Sequence, residues 1–516
     1  MKTGFTAGAL VLALSSISSV TAADDGLSAR LLGTYRTGLA DVDEGVSSGE
    51  TVALRGTQMY VTNADDVSLD IVDVADPAAP RLVRRVPLAA YGSSANSVDV
   101  SDRNVVAVAL AAAKRTDPGT VVLLTPAGQV KRTVVVGSNP DMVVFTRGGD
   151  RLLVANEGEP DCYGDGCTDP EGSVSVVEMR PIGRSPEVHT IGFGGVAMPP
   201  GVRIFGPGAS VAQDLEPEYI AVSDDGDTAW VSLQENNAVA TLDLRTLTVA
   251  NVTALGVKDH GVVGQGLDPS DRDGAIDIRP WRHVFGMYMP DAIAQFQVDG
   301  ETYLVTANEG DAREYDGFEE EQRARSLAGD HPSLAGIAGV DDDAALGRLT
   351  VTNAPPDGDF DHLYAFGARS VSIWHAASGG QIWDSGDEIE RLTAQVLPDF
   401  FNSNNDENEA EGRSDNKGPE PEGVAVGRIH GRSFAFVGLE RIGGVVVYDV
   451  SSPHAPQLVD YLVTRDFSRD VAESDSGPEV LRFVEARRSP TGRPLLVVAN
   501  EITGTVSLYA AARVVR

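Results

Sequence analysis

One short pattern recurs along the chain and limits what it can fold into: an apolar strand that ends in an acid, entered through a Pro-acid turn. Asn139-Pro140-Asp141 precedes Leu152-Leu153-Val154-Ala155-Asn156-Glu157, Met289-Pro290-Asp291 precedes Leu304-Val305-Thr306-Ala307-Asn308-Glu309, and Gly477-Pro478-Glu479 precedes Leu496-Val497-Val498-Ala499-Asn500-Glu501. Looser copies join Glu216-Pro217-Glu218 to Gln234-Glu235 and Glu420-Pro421-Glu422 to Leu439-Glu440. Self-similarity at a period of roughly 40 to 70 residues is the signature of propellers and solenoids, in which each repeat buries its apolar face only against its neighbours.

Each unit reads as an inner strand, a second strand, a strongly alternating third strand and an edge-like fourth, separated by Gly, Pro, Asn and Asp turns. The units begin near residues 50, 96, 139, 216, 290, 420 and 478, which predicts seven blades. The last unit runs out of chain after its third strand, while residues 30–36 precede the first unit without a role. This N-terminal strand is therefore expected to complete the last blade and close the ring, which protects the terminal sheet edges. The fold class predicted is all-β, a seven-bladed β-propeller with long loop insertions on one face, at about residues 255–288, 311–368 and 385–417. Loops of that length in a compact domain are usually functional or disordered.

At 516 residues, length alone suggests two or three domains, but all-β architectures often exceed that rule. Lys2, an apolar run over 5–20 and Val20-Thr21-Ala22-Ala23 fit a secretory signal peptide, removed near Ala22 to leave one domain over 23–516. An ordinary N-terminal helix is the plainer reading, and the abrupt change to Asp24-Asp25 speaks against it. A secreted protein, periplasmic or extracellular, is expected. No later stretch approaches the ~18 continuous apolar residues that span a bilayer. Cys162 and Cys167, the two cysteines, are expected to form a small loop-pinning disulfide in an oxidising compartment.

The formal net charge of −35 argues against nucleic acid or an anionic membrane as partners, since both need a basic face. It permits cation binding, although a solubilising acidic surface would give the same composition. In a propeller the turns entering the inner strands and leaving the second strands open on one face. The repeat would therefore gather Asp141, Glu157, Glu218, Glu235, Asp291, Glu309, Glu422, Glu440, Glu479 and Glu501 there. Like charges so close together raise one another's pKa unless cations compensate them. Carboxylates with neutral oxygens from Asn308, Asn139, Asn156, Asn236 and Asn500 favour a hard ion such as Ca²⁺ over zinc or copper. The plainer alternative is that many of these residues cap turns.

Asp268-Pro269-Ser270-Asp271-Arg272-Asp273-Gly274 resembles a fragment of a Ca²⁺ loop but lacks its full length. The acidic segments at 357–361 and 402–409 have the same ambiguity. Arg313, Arg369, Arg413, Lys417 and Arg441 stand beside the repeats or in the insertions, where they could hold a phosphoryl or carboxylate group, or simply pair with acids. His260, His283 and His362 could act as acids or bases. No serine elbow, phosphate-binding loop, zinc-protease motif or dinucleotide fingerprint occurs.

Several of these segments resemble the choice-of-anchor I family, which includes the mesenchyme-specific cell-surface glycoproteins and many bacterial proteins described as alkaline phosphatase-like. The resemblance rests on Gly33-Thr34-Tyr35, Leu267-Asp268-Pro269-Ser270-Asp271, Gly286-Met287-Tyr288, Pro290-Asp291-Ala292-Ile293 and Ala307-Asn308-Glu309-Gly310-Asp311-Ala312-Arg313. It continues through Tyr315-Asp316-Gly317-Phe318, Ala365-Phe366-Gly367-Ala368-Arg369-Ser370, Leu397-Pro398-Asp399-Phe400-Phe401-Asn402 and Lys417-Gly418-Pro419-Glu420-Pro421-Glu422-Gly423-Val424. It implies an exported β-propeller.

The combined expectation is a monomeric, Ca²⁺-binding propeller acting as a metal-dependent phosphoesterase on a small substrate. Glu309 or Glu422 would accept a proton and Arg313, Arg369 or Arg441 would hold the charge. A Ca²⁺-dependent lactonase or esterase, and a non-enzymatic calcium-binding or matrix protein, are the alternatives.

Overall fold

A computed structural model describes residues 27–179 and 186–513. The expected signal peptide lies outside the described residues. The architecture is all-β, built on four-stranded antiparallel sheets whose strands follow one another in chain order. Seven such sheets are present among the described residues. The first joins Val52–Arg55, Gln58–Asn63, Ser68–Asp73 and Arg81–Pro87; the second joins Ser94–Val100, Val106–Ala111, Pro118–Leu124 and Val130–Ser138. The third holds Pro140–Phe145, Arg151–Asn156, Ser173–Glu178 and Glu187–Gly192; the fourth holds Pro217–Val222, Thr228–Leu233, Ala238–Asp243 and Thr248–Ala254.

The fifth sheet, Ile293–Val298, Glu301–Asn308, Ser370–His375 and Gln381–Asp384, is interrupted between its second and third strands by the longest insertion. Pro421–Ile429, Arg432–Leu439, Val445–Asp449 and Gln457–Leu462 make the sixth. The seventh consists of Pro478–Val484, Leu495–Asn500 and Thr505–Arg513, with Leu27–Arg36 paired antiparallel to the last of these. The first strand of each sheet packs beside the first strand of the next, and that of the seventh beside that of the first.

Second and third strands are almost continuously apolar and buried, as in Val106–Ala111 and Leu495–Asn500, because both of their faces meet a neighbouring sheet. Fourth strands such as Arg81–Pro87 alternate or are exposed, as edge strands do. The Asn that ends a second strand points into its own sheet. Asn156 Nδ2 donates to Ser173 Oγ at 3.2 Å and Ser175 Oγ at 3.0 Å, Asn308 Nδ2 to Ser370 Oγ at 3.2 Å and Ser372 Oγ at 2.8 Å, and Asn500 Nδ2 to Thr505 Oγ1 at 3.1 Å. Half of the recurring Asn-Glu signature is thus a clamp between second and third strands.

The three insertions are ordered and pack on one another. Val257–Asp259, Val284–Met287 and Leu363–Ala365 form a small mixed sheet, and the helix Ala324–Asp330 shares a separate core with Leu267, Trp281, Val284, Leu349 and Leu363. The helix Glu388–Val396 from the third insertion joins them through Glu390, whose backbone neighbour is Asp268 N at 3.4 Å. None of the helices among the described residues is long and apolar enough to cross a membrane.

Candidate cation site

The Pro-acid turn and the strand-end acid are joined by one backbone device. The residue before the proline is held left-handed in four sheets: Asn139 at φ 44°, Met289 at 43°, Glu420 at 49° and Gly477 at 74°. Its carbonyl then accepts the N–H just beyond the second strand. The pairs are Glu157 N to Asn139 O at 3.1 Å, Glu440 N to Glu420 O at 2.9 Å, Glu501 N to Gly477 O at 2.9 Å and, one residue later, Gly310 N to Met289 O at 3.0 Å. Proline supplies no N–H to the ladder, and the pairing register shifts directly after Pro140, Pro217, Pro421 and Pro478. The bulge turns the following acid out of the sheet and toward the strand-end acid.

The consequence is a single cavity of about 510 Å³ lined by all ten predicted carboxylates, from Asp141 to Glu501, together with Arg441. Four further acids line it, Glu50, Glu159, Glu216 and Asp311, against four basic side chains, Arg115, Lys417, Arg441 and Arg482. At the inner end Arg482 crosses from the seventh sheet, donating to Val52 O at 3.2 Å in the first and to Tyr219 Oη at 3.2 Å in the fourth.

The cavity has two electrostatically different sides. On one, Lys417 Nζ lies 3.7 Å from Glu309 Oε1, 3.2 Å from Asp311 Oδ1 and 3.6 Å from Glu420 Oε2, while Arg441 Nε lies 3.0 Å from Glu420 and 3.1 Å from Glu440. Glu309, Glu420 and Glu440 offer oxygens all within 4.8 Å of one another, close enough to share one ion. Lys417 and Arg441 already supply positive charge there. Burial would push the Glu420 carboxyl up, but Lys417, Arg441 and Arg413 outweigh it and hold it at about 2.

On the other side Arg115 Nη1 pairs with Glu159 Oε2 at 2.6 Å, but among the described residues that positive charge is shared by more acids. Glu218 Oε2, Glu235 Oε2 and Glu422 Oε2 are buried and have no hydrogen-bond partner among the described residues. Burial raises Glu218 well above the carboxylate range, with Glu235, Asp291, Glu157 and Asp141 adding to it. Glu422 is raised likewise by burial and then by Glu309, Glu479 and Asp291. Burial followed by the Glu159 charge brings Asp141 to about 7; burial followed by Glu501 brings Glu50 to about 8. Such groups are protonated near neutrality unless a cation replaces the protons. The donor set is all oxygen and suits a hard divalent ion.

Three predicted site residues lie elsewhere. Asn308 is taken up by its clamp and also accepts from Thr306 Oγ1 at 2.8 Å, so it is not turned to the cavity. Arg313 is buried behind the wall, ion-paired to Asp214 and to Glu216 at 3.2 Å, with its guanidinium 4.5 Å from the centre of the Phe205 ring. Arg369 is buried among the insertions and donates to Glu390 at 2.7 Å and to the carbonyls of Asp268, Ser414 and Asn416. Both hold chain segments together, although Arg313 Nε has no hydrogen-bond partner among the described residues. The Asp161 carboxylate beside the cysteines is no metal site either, because Cys162 and Cys167 form a disulfide. Tyr163 in that loop packs edge-on against Tyr315 and Phe318 and donates its N–H to Asp316 O at 2.8 Å, and Tyr315 Oη reaches Glu159 at 3.0 Å. The disulfide loop therefore braces the cavity rim.

The acids that sequence reasoning missed carried a signal of their own. Glu157-Gly158-Glu159 and Glu309-Gly310-Asp311 place a second acid two residues on, across glycines at φ 76° and 89°; Glu216-Pro217-Glu218 and Glu420-Pro421-Glu422 place one two residues before. Glu50 and Arg482 follow no repeat, and only the packing of the sheets brings them in.

Residues 51–453 match the model of the choice-of-anchor I domain. Gigasin-3a of Magallana gigas is 33% identical over 190 residues, 34% of this chain and 67% of that protein. The mesenchyme-specific cell surface glycoprotein of Strongylocentrotus purpuratus is 27% identical over 292 residues, 49% of this chain but 37% of that protein's length. Among solved structures, the hydrazine synthase of Kuenenia stuttgartiensis superposes over 90% of this chain and 95% of its own at 13% identity and a TM-score of 0.46. The Cps50 (Swd1) β-propeller domain of Myceliophteria thermophila does so over 94% and 99% at 10% identity and 0.46.

Proposed function

The chain belongs to the choice-of-anchor I family, and from that premise we propose that it is an extracellular or surface β-propeller that binds hard divalent cations, Ca²⁺ above all, in its central cavity. The seven sheets act as blades, and Leu27–Arg36 closes the ring by completing the last of them, in line with the cyclic packing of the first strands. The kinship with a cell surface glycoprotein agrees with a place outside the cell. One observation carries the cation reading: buried carboxylate oxygens of Glu218, Glu235 and Glu422 face the cavity with no donor, among fourteen acids and four bases. Burying charge uncompensated is costly, and a bound ion removes the cost. Titration of chelator-treated protein with Ca²⁺ at pH 8 tests it. Saturable binding with proton release supports the reading, and absence of heat and of proton release would sink it.

A second reading, the metal-dependent phosphoesterase, is favoured by Lys417 and Arg441, which sit on the cavity wall where Arg313 and Arg369 do not. A loaded ion would lower the pKa of a bound water and polarise a phosphoryl oxygen, while Lys417 and Arg441 would hold the phosphoryl charge and Glu309 or Glu422 would take the proton. Turnover of an aryl phosphate that disappears in Lys417→Met tests this reading separately from cation binding.

A further inference from the structure

A second, chemically different metal site is suggested by the small sheet of the insertions, whose histidines are not among the residues that line the cavity. Val284–Met287 and Leu363–Ala365 run parallel with Val284 opposite Leu363, and Leu363 N donates to His283 O at 2.9 Å. His283 and His362 are the residues immediately before those paired positions, so the backbone sets them side by side. Val284 and Leu363 are fully buried in the insertion core, which makes the support rigid, whereas His283 is exposed and His362 partly so. His283 is held left-handed at φ 65°, a conformation that is uncommon outside glycine but that His adopts more readily than most residues.

The two rings meet nitrogen to nitrogen. Nδ1 of His283 lies 3.3 Å from Nδ1 of His362, the ring centroids are 5.3 Å apart, and the planes differ by 20°. With one ring protonated at Nδ1 the pair is a metal-free N–H···N hydrogen bond, its roles set by the tautomers. The same spacing suits an ion in place of that proton: two imidazoles on one tetrahedral ion with metal–nitrogen bonds of ~2.0–2.1 Å show nitrogens ~3.3–3.4 Å apart and ring centres ~5.2–5.3 Å apart. Both observed separations fall there.

The surroundings fit the same reading. Nε2 of His362, the nitrogen turned away from His283, lies 3.7 Å from Asp361 Oδ1, beyond hydrogen-bond reach but close enough for the carboxylate charge to favour a cation there. Phe285 packs edge-on against His362 at 4.9 Å and stacks on Tyr364, whose hydroxyl donates to Asp357 at 2.8 Å. The ring of His362 is thus fixed from one side while the other stays open to solvent.

We propose that His283 and His362 form a chelating pair for one borderline, tetrahedral transition-metal ion, Zn²⁺, distinct from the hard-cation cavity. Imidazole nitrogen selects this class of ion, and the oxygen donors of the cavity select the other. Solvent completes the coordination.

The test is a calorimetric titration of the full chain with Zn²⁺ while excess Ca²⁺ occupies the cavity. His283→Asn retains a residue that tolerates the left-handed backbone, and His362→Ala removes the partner at a partly exposed position, so both variants should fold. The expected result is one Zn²⁺ per chain in the wild type, weakened by about tenfold or more in either variant, and unchanged in Glu218→Gln/Glu422→Gln. Wild-type Zn²⁺ binding that survives in the His283→Asn/His362→Ala double variant, or no Zn²⁺ binding at all, overturns the proposal. Loss of Ca²⁺ binding in the cavity variant with Zn²⁺ binding intact separates the two sites.

Discussion

Lys417 Nζ lies 3.7 Å from Glu309 Oε1, so a residue at the end of the third insertion supplies a positive charge to the strand-end acid of the fifth sheet. Buried among Glu309, Asp311 and Glu420, the lysine loses solvation, yet those three acids more than offset the loss and keep its pKa raised. It does on one side of the cavity what a bound ion would do on the other.

Lys417→Met should therefore leave Glu309, Asp311 and Glu420 short of charge compensation. The expected outcome is a loss of about 3–5 kcal/mol of stability without added metal, partly recovered with Ca²⁺. Urea unfolding with and without Ca²⁺ measures both numbers.

The cavity acids set a pH dependence with a definite sign. In the folded chain Asp141, Glu235 and Glu501 titrate at about 7 and Glu50 at about 8, all raised mainly by burial, whereas in the unfolded chain such groups titrate near 4. The folded state thus binds more protons over that window, and stability falls as pH rises from about 4 to about 8. Metal-free protein should show a falling Tm across this range in a thermal melt. Added Ca²⁺ should flatten the fall, since the ion takes the place of the protons.

Arg313 is predicted to matter for the fold and not for chemistry. Arg313→Met leaves Asp214 and Glu216 buried without their partner, and a cost of about 3–5 kcal/mol is expected. Calcium stoichiometry of the folded fraction should be unchanged, as equilibrium dialysis can show.

Asn308→Ala removes the bonds to Ser370 and Ser372, leaving Ser370 Oγ without the amide donor while Ser372 Oγ keeps Gln381 Nε2 at 3.3 Å. A loss of about 1–3 kcal/mol is expected, with Ca²⁺ affinity retained. A selective loss of Ca²⁺ binding at full stability would instead return Asn308 to the cavity.

Sheet boundaries were legible in the sequence because the Pro-acid turn and the strand-end acid are both local chemistry, fixed by proline's missing N–H and by the bulge it forces. The pairing of Leu27–Arg36 with Thr505–Arg513 was legible for a similar reason, since a three-strand remainder and an unused strand complement each other. Which member of Asn308-Glu309 faces the cavity was not legible, because strand alternation allows either until the Ser-x-Ser pattern of the partner strand is matched to the Asn. Arg313 and Arg369 misled for another reason: an arginine beside acids reads the same in sequence whether it meets a substrate or a buried wall. The insertions hid most, as Asp214 with Arg313 and His283 with His362 are brought together only by packing between distant segments.

The unpaired oxygens of Glu218 and Glu422 are proposed to hold a hard divalent cation, and calcium titration of Glu218→Gln/Glu422→Gln at pH 8, with the wild type alongside, reads their contribution. The expected result is affinity lower by about tenfold or more, together with higher stability of the metal-free variant, because two buried acids no longer need protons or an ion. Calcium affinity equal to the wild type in a folded variant would contradict it.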